Sequence, residues 1–494
     1  MANLTDRQKV GHLLRRFGLG AGMPDMEIYA PLGPEKAMQK LVTFDSTPDL
    51  VDPMRFAYRE EGDADPGPWR FRIQWMCEMI RTKNPLREKM AVFWHDHFAV
   101  RMADVENGLA ILEYQKRLRE DPIGKFRDIL DRMVKSPGVM MQLNLELFSK
   151  ARPNENFARE LLELYTLGEG NYAEKDILEI AKALTGWGYV LAYWQLGSTN
   201  DERLNMMRKF DVKPIFSVYG EDAHIKGPKQ VLGKTVDTLD DVLDMLAKHP
   251  QTARYVSTKL WEYFGYKNPE RQVVDRLAKK FLDTDGSIKD VLVEMTKMSE
   301  FWSDKCVRGL IKNPIDFYIS ICRAQNSAGE LEKRLDAKGA VDKPLTNDVW
   351  SPLGSLNYYL TNAGMEIYQP PSVAGWDWHE GWISANNMLR RQQYTGMFVY
   401  YKSQRDGKDV WLPDVGMKYI LGEIRKRSAD TLDGLINAFL TVYDCPLPEK
   451  KIEVLREHFK KHGMPQNVKN DESVAWAVNQ GLKLLAGTPE FNLH

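Results

Sequence analysis

A single amphipathic segment, residues 154–168, sets the strongest condition on the fold of this chain. Apolar side chains repeat along it at intervals of one, three and four residues: Phe157, Leu161, Leu164 and Tyr165. This period places them on one face of an α-helix, and that face has to be buried against a core. Asn154 is a favourable capping residue for the first turn, and Gly168 can end the last one. The segment therefore predicts one helix packed against a core.

The same segment also carries a stripe of charge. Glu155, Arg159 and Glu163 are spaced four residues apart, and Glu160 lies about 100° around the helix from Arg159. One interpretation is a solvated face whose ion pairs stabilise the helix by roughly a few tenths of a kcal/mol each. The other is a functional site, because two carboxylates can hold a guanidinium in a fixed geometry. Spacing alone favours the solvated face, and the functional site stays an alternative.

Further motifs accompany this segment along the chain. They are His12–Gly18, Phe93–Phe98, Ala183–Trp187, His224–Gly233, His249–Arg254 and Gly375–Arg390. Together with residues 154–168 they resemble the hallmark of the DUF1800 family, a group of mostly bacterial proteins of unknown function. The resemblance implies a largely helical protein that is usually exported. It also implies a DUF1501-type protein as a partner encoded nearby, itself similar to sulfatases and alkaline-phosphatase-like enzymes.

Charge and hydropathy exclude two classes of partner. The net charge of −1 over 494 residues gives no overall field that would attract nucleic acid or an anionic membrane. No apolar run approaches the ~20 residues that a membrane-spanning helix needs. Residues Met1–Arg7 are polar and do not read as a signal peptide. As written, the chain is expected in the cytoplasm unless a leader has been removed, although the family resemblance implies export.

Helical periodicity recurs over most of the sequence, so the expected fold class is mostly α, a large multi-helix body. Residues 205–235 differ, because apolar and aromatic side chains broken by proline and glycine predict a short β or extended insertion. The polar stretch 324–347 predicts a linker within a main helical domain that covers residues 1–410. Residues 411–494 predict a C-terminal helical subdomain packed on this body.

Two histidines lie near the end of a helix predicted from Pro85 to Phe98. His97 continues the apolar stripe of that helix, whereas His95 lies about 200° away from it. The two imidazoles therefore cannot readily bind one ion unless the helix unwinds. A histidine on an apolar stripe is more often a hydrogen-bonded core residue than a metal ligand, and both interpretations stay open. Haem ligation by His97 is a third alternative, without a recognisable second ligand.

Asp176 and His224 are further candidates. Asp176 lies in the first turn of the helix that follows the 154–168 segment, where a carboxylate complements the helix dipole or could join a metal site. The family resemblance implies a His–Asp pair at His224, but Ile225 stands in place of the acid. His224 could therefore act only as a single ligand.

Residues 368–382 form a loop rich in Trp, Pro and Gly. Trp376, Trp378 and Trp382 could line a groove that stacks on a flat ligand such as a sugar ring. They could also plug one end of the helical body, and we favour the plug. Loops of this composition are commonly functional surfaces.

The sequence lacks the motifs of several common enzyme classes. It contains no G-x-G-x-x-G after a predicted strand, no Walker A motif, no H-E-x-x-H and no G-x-S-x-G. Two functional hypotheses remain. The first is a hydrolase-type enzyme with a polar cleft between the 154–167 and 86–98 helices. The second is a non-catalytic binding or assembly protein.

Each hypothesis assigns roles to named residues. In the first, acid–base chemistry or a divalent cation acts in the cleft, and the catalytic residues are Glu155, Arg159, Glu160, Glu163 and His97. The expected ligands of such a cation, whose identity the sequence does not give, are His95, His97, Glu160 and Asp176. In the second, the acidic stripe is a structural clamp, and the ligand or partner surface consists of Trp376, Trp378, Trp382 and His224. A cavity between the two helices would favour the enzyme, and its absence would favour the clamp.

Overall fold

The computed structural model describes residues 4–44, 69–145, 152–191, 215–336, 347–395, 400–405, 408–413, 417–427, 431–464, 466 and 471–494. The first part of the predicted insertion, residues 205–214, lies outside these ranges, as does the 337–346 part of the predicted linker.

Helices form most of the described chain, which confirms the predicted mostly α class. In the first half the α-helices are Asp6–Phe17, Met23–Tyr29, Gly33–Leu41, Trp69–Arg81, Pro85–His97, Met102–Val105, Gly108–Arg119, Phe126–Val134, Pro137–Gln142, Glu155–Glu160, Glu174–Leu184 and Leu239–Ala247. In the second half they are Pro250–Phe264, Arg271–Asp283, Ile288–Met295, Pro314–Ala324, Ser327–Asp336, Asn347–Asn362, Ala385–Thr395, Met417–Lys426, Leu432–Val442, Glu449–Lys461, Asp471–Ala486 and Pro489–Asn492. No helix among the described residues combines the length and apolarity that crossing a membrane requires.

Antiparallel strand pairs complete the described fold. The pairs are Trp187–Leu191 with Ile215–Tyr219, Lys229–Val231 with Lys234–Val236, and Tyr400–Arg405 with Lys408–Pro413. In the first pair Trp187 lies opposite Tyr219, and in the second Val231 lies opposite Lys234. These two pairs confirm the predicted β character of the insertion in the part that is described.

The Pro85–His97 helix lies at the centre of the core. Every residue of this helix except Arg87 is buried. A helix that is buried all round has no solvent face, so its polar side chains need partners inside the protein. Glu88, for example, accepts hydrogen bonds from the Trp75 indole at 2.8 Å and from the Arg119 guanidinium. This helix therefore delivers several polar side chains to the interior.

Buried apolar side chains form one continuous cluster that extends from Val10 to Phe491. The 154–168 segment contributes Phe157, Leu161 and Tyr165, each of them buried, as its apolar stripe predicts. The apolar face of the segment is thus part of the same core as the Pro85–His97 helix.

The residues after position 411 contact the rest of the molecule through polar and backbone interactions. The Arg15 guanidinium lies 2.6 Å from the Asp444 carboxylate, and Ile311 forms an antiparallel bridge with Leu493. The division into domains at residue 410 remains a prediction.

Part of the predicted linker, residues 324–347, is helical. The Ser327–Asp336 helix occupies it, and its Leu331 and Leu335 are buried. Two apolar residues at a spacing of four anchor one face of this otherwise polar helix to the core, which explains why a polar stretch is ordered here.

Candidate functional site

The helix predicted over residues 154–168, the acidic helix, changes its hydrogen-bonding pattern halfway along. Glu155–Glu160 is α-helical, and Leu161–Thr166 continues as a π-helix. At its end the Leu167 amide donates to the Leu162 carbonyl, five residues back, at 2.8 Å. π-Turns inside helices are rare and are frequent at functional sites, so the contacts of this segment are informative.

Side chains from neighbouring helices bind carbonyl groups of this segment. The contacts are Tyr255 Oη to Leu164 O at 3.1 Å, His97 Nε2 to Tyr165 O at 3.1 Å, and Gln251 Nε2 to Leu167 O at 3.0 Å. Because a carbonyl oxygen only accepts, His97 Nε2 must carry a hydrogen. His97 therefore supports the backbone of the predicted acidic helix.

The other ring nitrogen of His97, Nδ1, is buried and has no hydrogen-bond partner among the described residues. The rings of Phe93, Trp94 and Phe98 pack around the imidazole, with the Phe98 centroid at 4.6 Å. Burial, followed by the charge of Lys259, holds the pKa of His97 well below its usual range. The imidazole is therefore neutral at physiological pH.

Both ring nitrogens of His95 take part in hydrogen bonds. The Tyr368 backbone amide donates to Nε2 at 3.0 Å, so Nδ1 carries the hydrogen and donates to the Tyr114 hydroxyl at 2.9 Å. The Tyr114 hydroxyl in turn donates to the Phe98 carbonyl at 2.8 Å. Burial lowers the pKa of His95 to about 3. His95 thus anchors the start of the Trp-rich loop as a neutral residue.

The charged side chains of the acidic helix form a network near the surface. Glu155 is exposed, and Arg159 pairs with Glu174 of the next helix at 2.7 Å and lies 3.8 Å from Glu163. Glu160 is half-buried, and burial together with the charge of Glu163 raises its pKa. Arg159 thus links two helices. The cleft described below does not include the predicted site residues Glu155, Arg159, Glu160 and Glu163.

Asp176 and His224 each contact the backbone. Asp176 is buried and accepts hydrogen bonds from the Ala173 amide, at the N-cap of its own helix, and from the Leu232 amide at 2.8 Å. His224 is also buried, and its Nδ1 lies 2.9 Å from the Thr185 carbonyl. Asp176 therefore attaches the start of its helix to the β insertion, and His224, within that insertion, contacts Thr185 at the end of the same helix.

The predicted metal ligands do not form a cluster. Among the described residues, no three His, Cys, Asp or Glu side chains come together in a way that could hold a metal ion. His95, His97, Glu160 and Asp176 accordingly form no such group.

A cleft of about 520 Å³ lies beneath the Trp-rich loop. Its walls come from the Pro85–His97 and Pro250–Phe264 helices, from residues 310–316, and from residues 376–381 of the loop. This volume is in the range of small-molecule binding sites, which combine apolar walls with a few polar groups.

Asp96 is a buried carboxylate in the wall of this cleft. Its Oδ1 accepts the Trp376 backbone N–H and its Oδ2 accepts the Trp378 indole N–H, both at 2.8 Å. Gly375, with φ of +90°, permits this approach, because a Cβ there would lie 2.2 Å from Asp96 Oδ1. Burial raises the pKa of Asp96, although Lys259 and the two N–H donors act in the opposite direction.

Asp316 and His494 also line the cleft. The Lys89 ammonium and the Asn313 side-chain amide donate to the Asp316 carboxylate. His494 Nδ1 donates to the Arg15 carbonyl at 3.1 Å, and burial holds the pKa of His494 well below its usual range. Both side chains are thus held in place by the surrounding protein.

His379 lines the cleft and has a strained backbone conformation. Its φ is +65°, a left-handed value that is uncommon for a residue with a side chain. Such residues cluster at functional sites, where the surrounding structure holds them. The imidazole is half-buried, and burial lowers its pKa. The carboxylate of the adjacent Glu380 lies 2.8 Å from the Lys267 ammonium, and both residues line the cleft.

The three tryptophans of the predicted ligand surface differ in their burial. Trp376 and Trp382 are buried, and Trp378 is half-buried. Trp378 packs against the Tyr263 ring at 5.0 Å, and Trp376 and Trp378 line the cleft. The loop therefore packs against the body and also forms a wall of the cleft, whereas His224 is not part of that wall.

Sequence reasoning missed the main polar residues of the cleft: Asp96, Lys259, Asp316, His379 and His494. Asp96 lies in the Phe93–Phe98 motif and His379 lies in the Trp-rich loop. Their positions within these two motifs could have identified them as candidates. Asp316 follows an Asn-Pro capping signal, which accounts only for a helix start.

Comparison with protein-family models matches residues 12–493 to the family described as "Protein of unknown function (DUF1800)". Neither the curated proteins nor the solved structures include a match to the chain. Because the family match spans nearly the whole sequence, the chain belongs to the DUF1800 family of proteins of unknown function.

Proposed function

We propose that this protein is a hydrolase-type enzyme whose polar cleft lies beneath the Trp-rich loop. One observation carries the proposal. Asp96 and His379 line the same cleft, and their pKa values are shifted toward each other. Burial raises the pKa of Asp96 and lowers the pKa of His379. Such a carboxyl group binds a proton more readily than usual and such an imidazole releases one more readily, as acid–base catalysis near neutral pH requires.

The lining of the cleft supports a particular class of substrate. Trp378 offers a partly exposed aromatic surface, which suits a flat or sugar-like group. Carboxylates outnumber ammonium groups in the lining of the cleft, which favours a substrate without an anionic portion. The ammonium groups are Lys259 and Lys267, and the carboxylates are Asp96, Glu262, Asp316, Asp377 and Glu380. We infer hydrolysis of an ester or glycosidic bond, with His379 accepting the proton of the attacking water and Asp96 protonating the leaving group.

Assays with nitrophenyl esters, phosphates, sulfates and glycosides test this proposal. We expect turnover of at least one class by the unmodified protein. His379→Asn keeps a residue that tolerates the left-handed conformation but removes the base, and Asp96→Asn removes the acid. Each should lower kcat by about 10²-fold or more.

Glu160→Gln on the acidic helix is the matched comparison. It should leave turnover unchanged, because Glu160 does not line the cleft. A loss of activity in Glu160→Gln with full activity in His379→Asn would overturn the proposal and return the site to the acidic helix.

A binding protein is the second candidate, and one observation favours it. Both carboxylate oxygens of Asp96 already accept N–H groups from the loop, which is also what a purely structural carboxylate does. A binding protein would turn over no substrate, and a sugar that binds it should quench the fluorescence of Trp378. Loss of that quenching in Trp378→Phe would identify the loop as the binding surface.

A DUF1501-type partner, implied by the family resemblance, remains a prediction. Copurification of the two proteins after coexpression would support it. Separate elution of both proteins, each folded, would count against it.

A further inference from the structure

A small cavity of about 20 Å³ lies behind the cleft and shares Asp316 and His494 with it. Its remaining lining comes from Gly20–Gly22, from the Pro314–Ala324 helix, and from a group of charged side chains. A space of this size holds one water molecule or one monatomic ion and excludes larger ligands.

Lys312 lies in the wall of this cavity, and its ammonium has no ion-pair partner among the described residues. Its side chain is 8% exposed, and the ammonium forms no hydrogen bond with any described residue. It lies 4.8 Å from the centroid of the Phe491 ring, and Phe491 lines the same cavity. A buried ammonium without an anionic partner is unfavourable, because burial removes its hydration without replacing it.

The carboxylates nearby are already engaged by other cations. Asp444 pairs with Arg15 at 2.6 Å and with Arg308 at 3.2 Å. Asp316 pairs with Lys89. Burial and the charge of Arg308 lower the pKa of Lys312 to about 8. Arg15 and Lys312 balance Asp316 and Asp444 in the lining itself. Lys89 and Arg308, which also pair with these carboxylates, add two positive charges next to the lining among the described residues.

Arg15 adds a second free donor to the lining. Its Nε is buried and has no hydrogen-bond partner among the described residues, and the residue lines the cavity together with Lys312. We propose that the cavity binds a chloride ion, held by Lys312 Nζ and the Arg15 guanidinium. The ion would neutralise part of the excess charge and satisfy N–H groups that otherwise lack an acceptor.

Bromide replaces chloride in such sites and can be located by its anomalous scattering. Crystals of the full chain soaked in sodium bromide should show an anomalous peak within hydrogen-bonding distance of Lys312 Nζ. Bromide peaks elsewhere on the molecule, with a water molecule or no density in this cavity, would overturn the proposal.

Thermal unfolding provides an independent measurement. Replacing gluconate by chloride at constant ionic strength should raise the Tm by about 1–3 °C. The rise should disappear in Lys312→Met and persist in the matched control Lys175→Met, because Lys175 is exposed and far from the cavity lining. An equal rise in Lys312→Met would contradict the proposal.

The pH dependence tests the same site without any substitution, in case Lys312→Met does not fold. The ion needs a charged ammonium, and the pKa of Lys312 is about 8. The chloride-dependent rise in Tm should therefore be present below pH 8 and decrease above it. A rise that is constant from pH 7 to about pH 9.5 would argue against Lys312 as the ligand.

Discussion

His97 connects two central helices through one hydrogen bond, from its Nε2 to the Tyr165 carbonyl. Its pKa is lowered by burial, so the neutral imidazole is the form that the folded protein uses. The hydrogen bond satisfies a carbonyl in the irregular part of the acidic helix, where the α-helical pattern does not supply a donor.

His97→Ala should destabilise the protein by about 3 kcal/mol, because it opens a cavity and leaves a buried carbonyl without a donor. His97→Gln places an amide nitrogen near the position of Nε2, so it should recover roughly half of this loss. Unfolding in urea measures both variants. Equal destabilisation by Ala and Gln would show that the hydrogen bond contributes little.

His95 predicts a dependence of stability on pH. Its pKa is about 3 in the folded protein and about 6.5 in an unfolded chain. Below pH 6.5 the unfolded state therefore binds a proton that the folded state does not, so the free energy of unfolding falls as the pH decreases toward 3.

His95→Gln should remove this contribution, since glutamine does not titrate. Between pH 6 and pH 4 the free energy of unfolding of the variant should fall less steeply than that of the unmodified protein, by about 1.4 kcal/mol per pH unit. Parallel pH profiles for the two proteins would mean that His95 is protonated in the folded state.

Gly375 is required by the contact between the Trp-rich loop and Asp96. Gly375→Ala would force a residue with a side chain into φ of +90° and place its Cβ 2.2 Å from Asp96 Oδ1, which should cost about 2 kcal/mol or more. Gly354→Ala is the control, because a Cβ there meets open space in the Asn347–Asn362 helix. Gly354→Ala should be neutral or slightly stabilising, and equal losses in both variants would show that the contact between Gly375 and Asp96 is not what requires glycine.

Residue types and spacing predicted some of these roles and not others. The apolar face of residues 154–168 and the burial of His97 follow from a period of 3.6 residues. The partners of His97 could not be predicted, because they are backbone atoms of a distant segment. The role of Asp96 could not be predicted either, because its partners, the Trp376 amide and the Trp378 indole, lie about 280 residues further along the chain.

At the scale of elements, the acidic helix is held by its neighbours along its irregular half. Tyr255 and Gln251, both on the Pro250–Phe264 helix, donate to carbonyls of the 161–167 segment. These contacts attach the π-helix to a helix that also lines the cleft.

Tyr255→Phe removes one of these donors while keeping the ring. It should destabilise the protein by about 1 kcal/mol and speed amide hydrogen exchange in residues 161–167 more than elsewhere. Hydrogen-exchange mass spectrometry measures this. Faster exchange spread evenly over the whole chain would instead indicate a global loss of stability.

The start of the acidic helix was predictable and its hydrogen-bonding pattern was not. Asn154 accepts a hydrogen bond from the Phe157 amide at 2.8 Å, as its cap preference predicts. The change to a π-helix depends on side chains that arrive from another helix, and no pattern within the segment encodes those contacts.

At the scale of the whole molecule, residues after 411 supply partners for buried groups elsewhere. Asp444 pairs with Arg15, which is 7% exposed, and Leu493 bridges to Ile311. A chain of residues 1–410 would lose this ion pair. It would also expose apolar surface such as the Phe317 ring, whose centroid lies 5.5 Å from that of Phe491, and exposed apolar surface is unfavourable.

We therefore expect residues 1–410 alone to be insoluble or to unfold without cooperativity. Calorimetry and size-exclusion chromatography of that fragment, beside the full chain, check this expectation. Cooperative unfolding of the fragment near the Tm of the full chain would show that residues 411–494 form a dispensable subdomain.

The position of the cleft could not be predicted from the sequence. Its walls come from residues 93–96, 259–267, 310–316 and 376–381, together with His494, which are far apart along the chain. Periodicity predicts the separate helices and their buried faces, but only the packing of the whole molecule brings these segments together.

We expect ligands to bind beneath the Trp-rich loop and not along the acidic helix. A crystallographic screen of small polar and sugar-like fragments tests it most directly, because it locates binding without assuming a reaction. Bound fragments should lie in the cleft, in contact with Trp378 and His379. Fragments gathered on Glu160 and Glu163, with the cleft free of ligand in every data set, would contradict it.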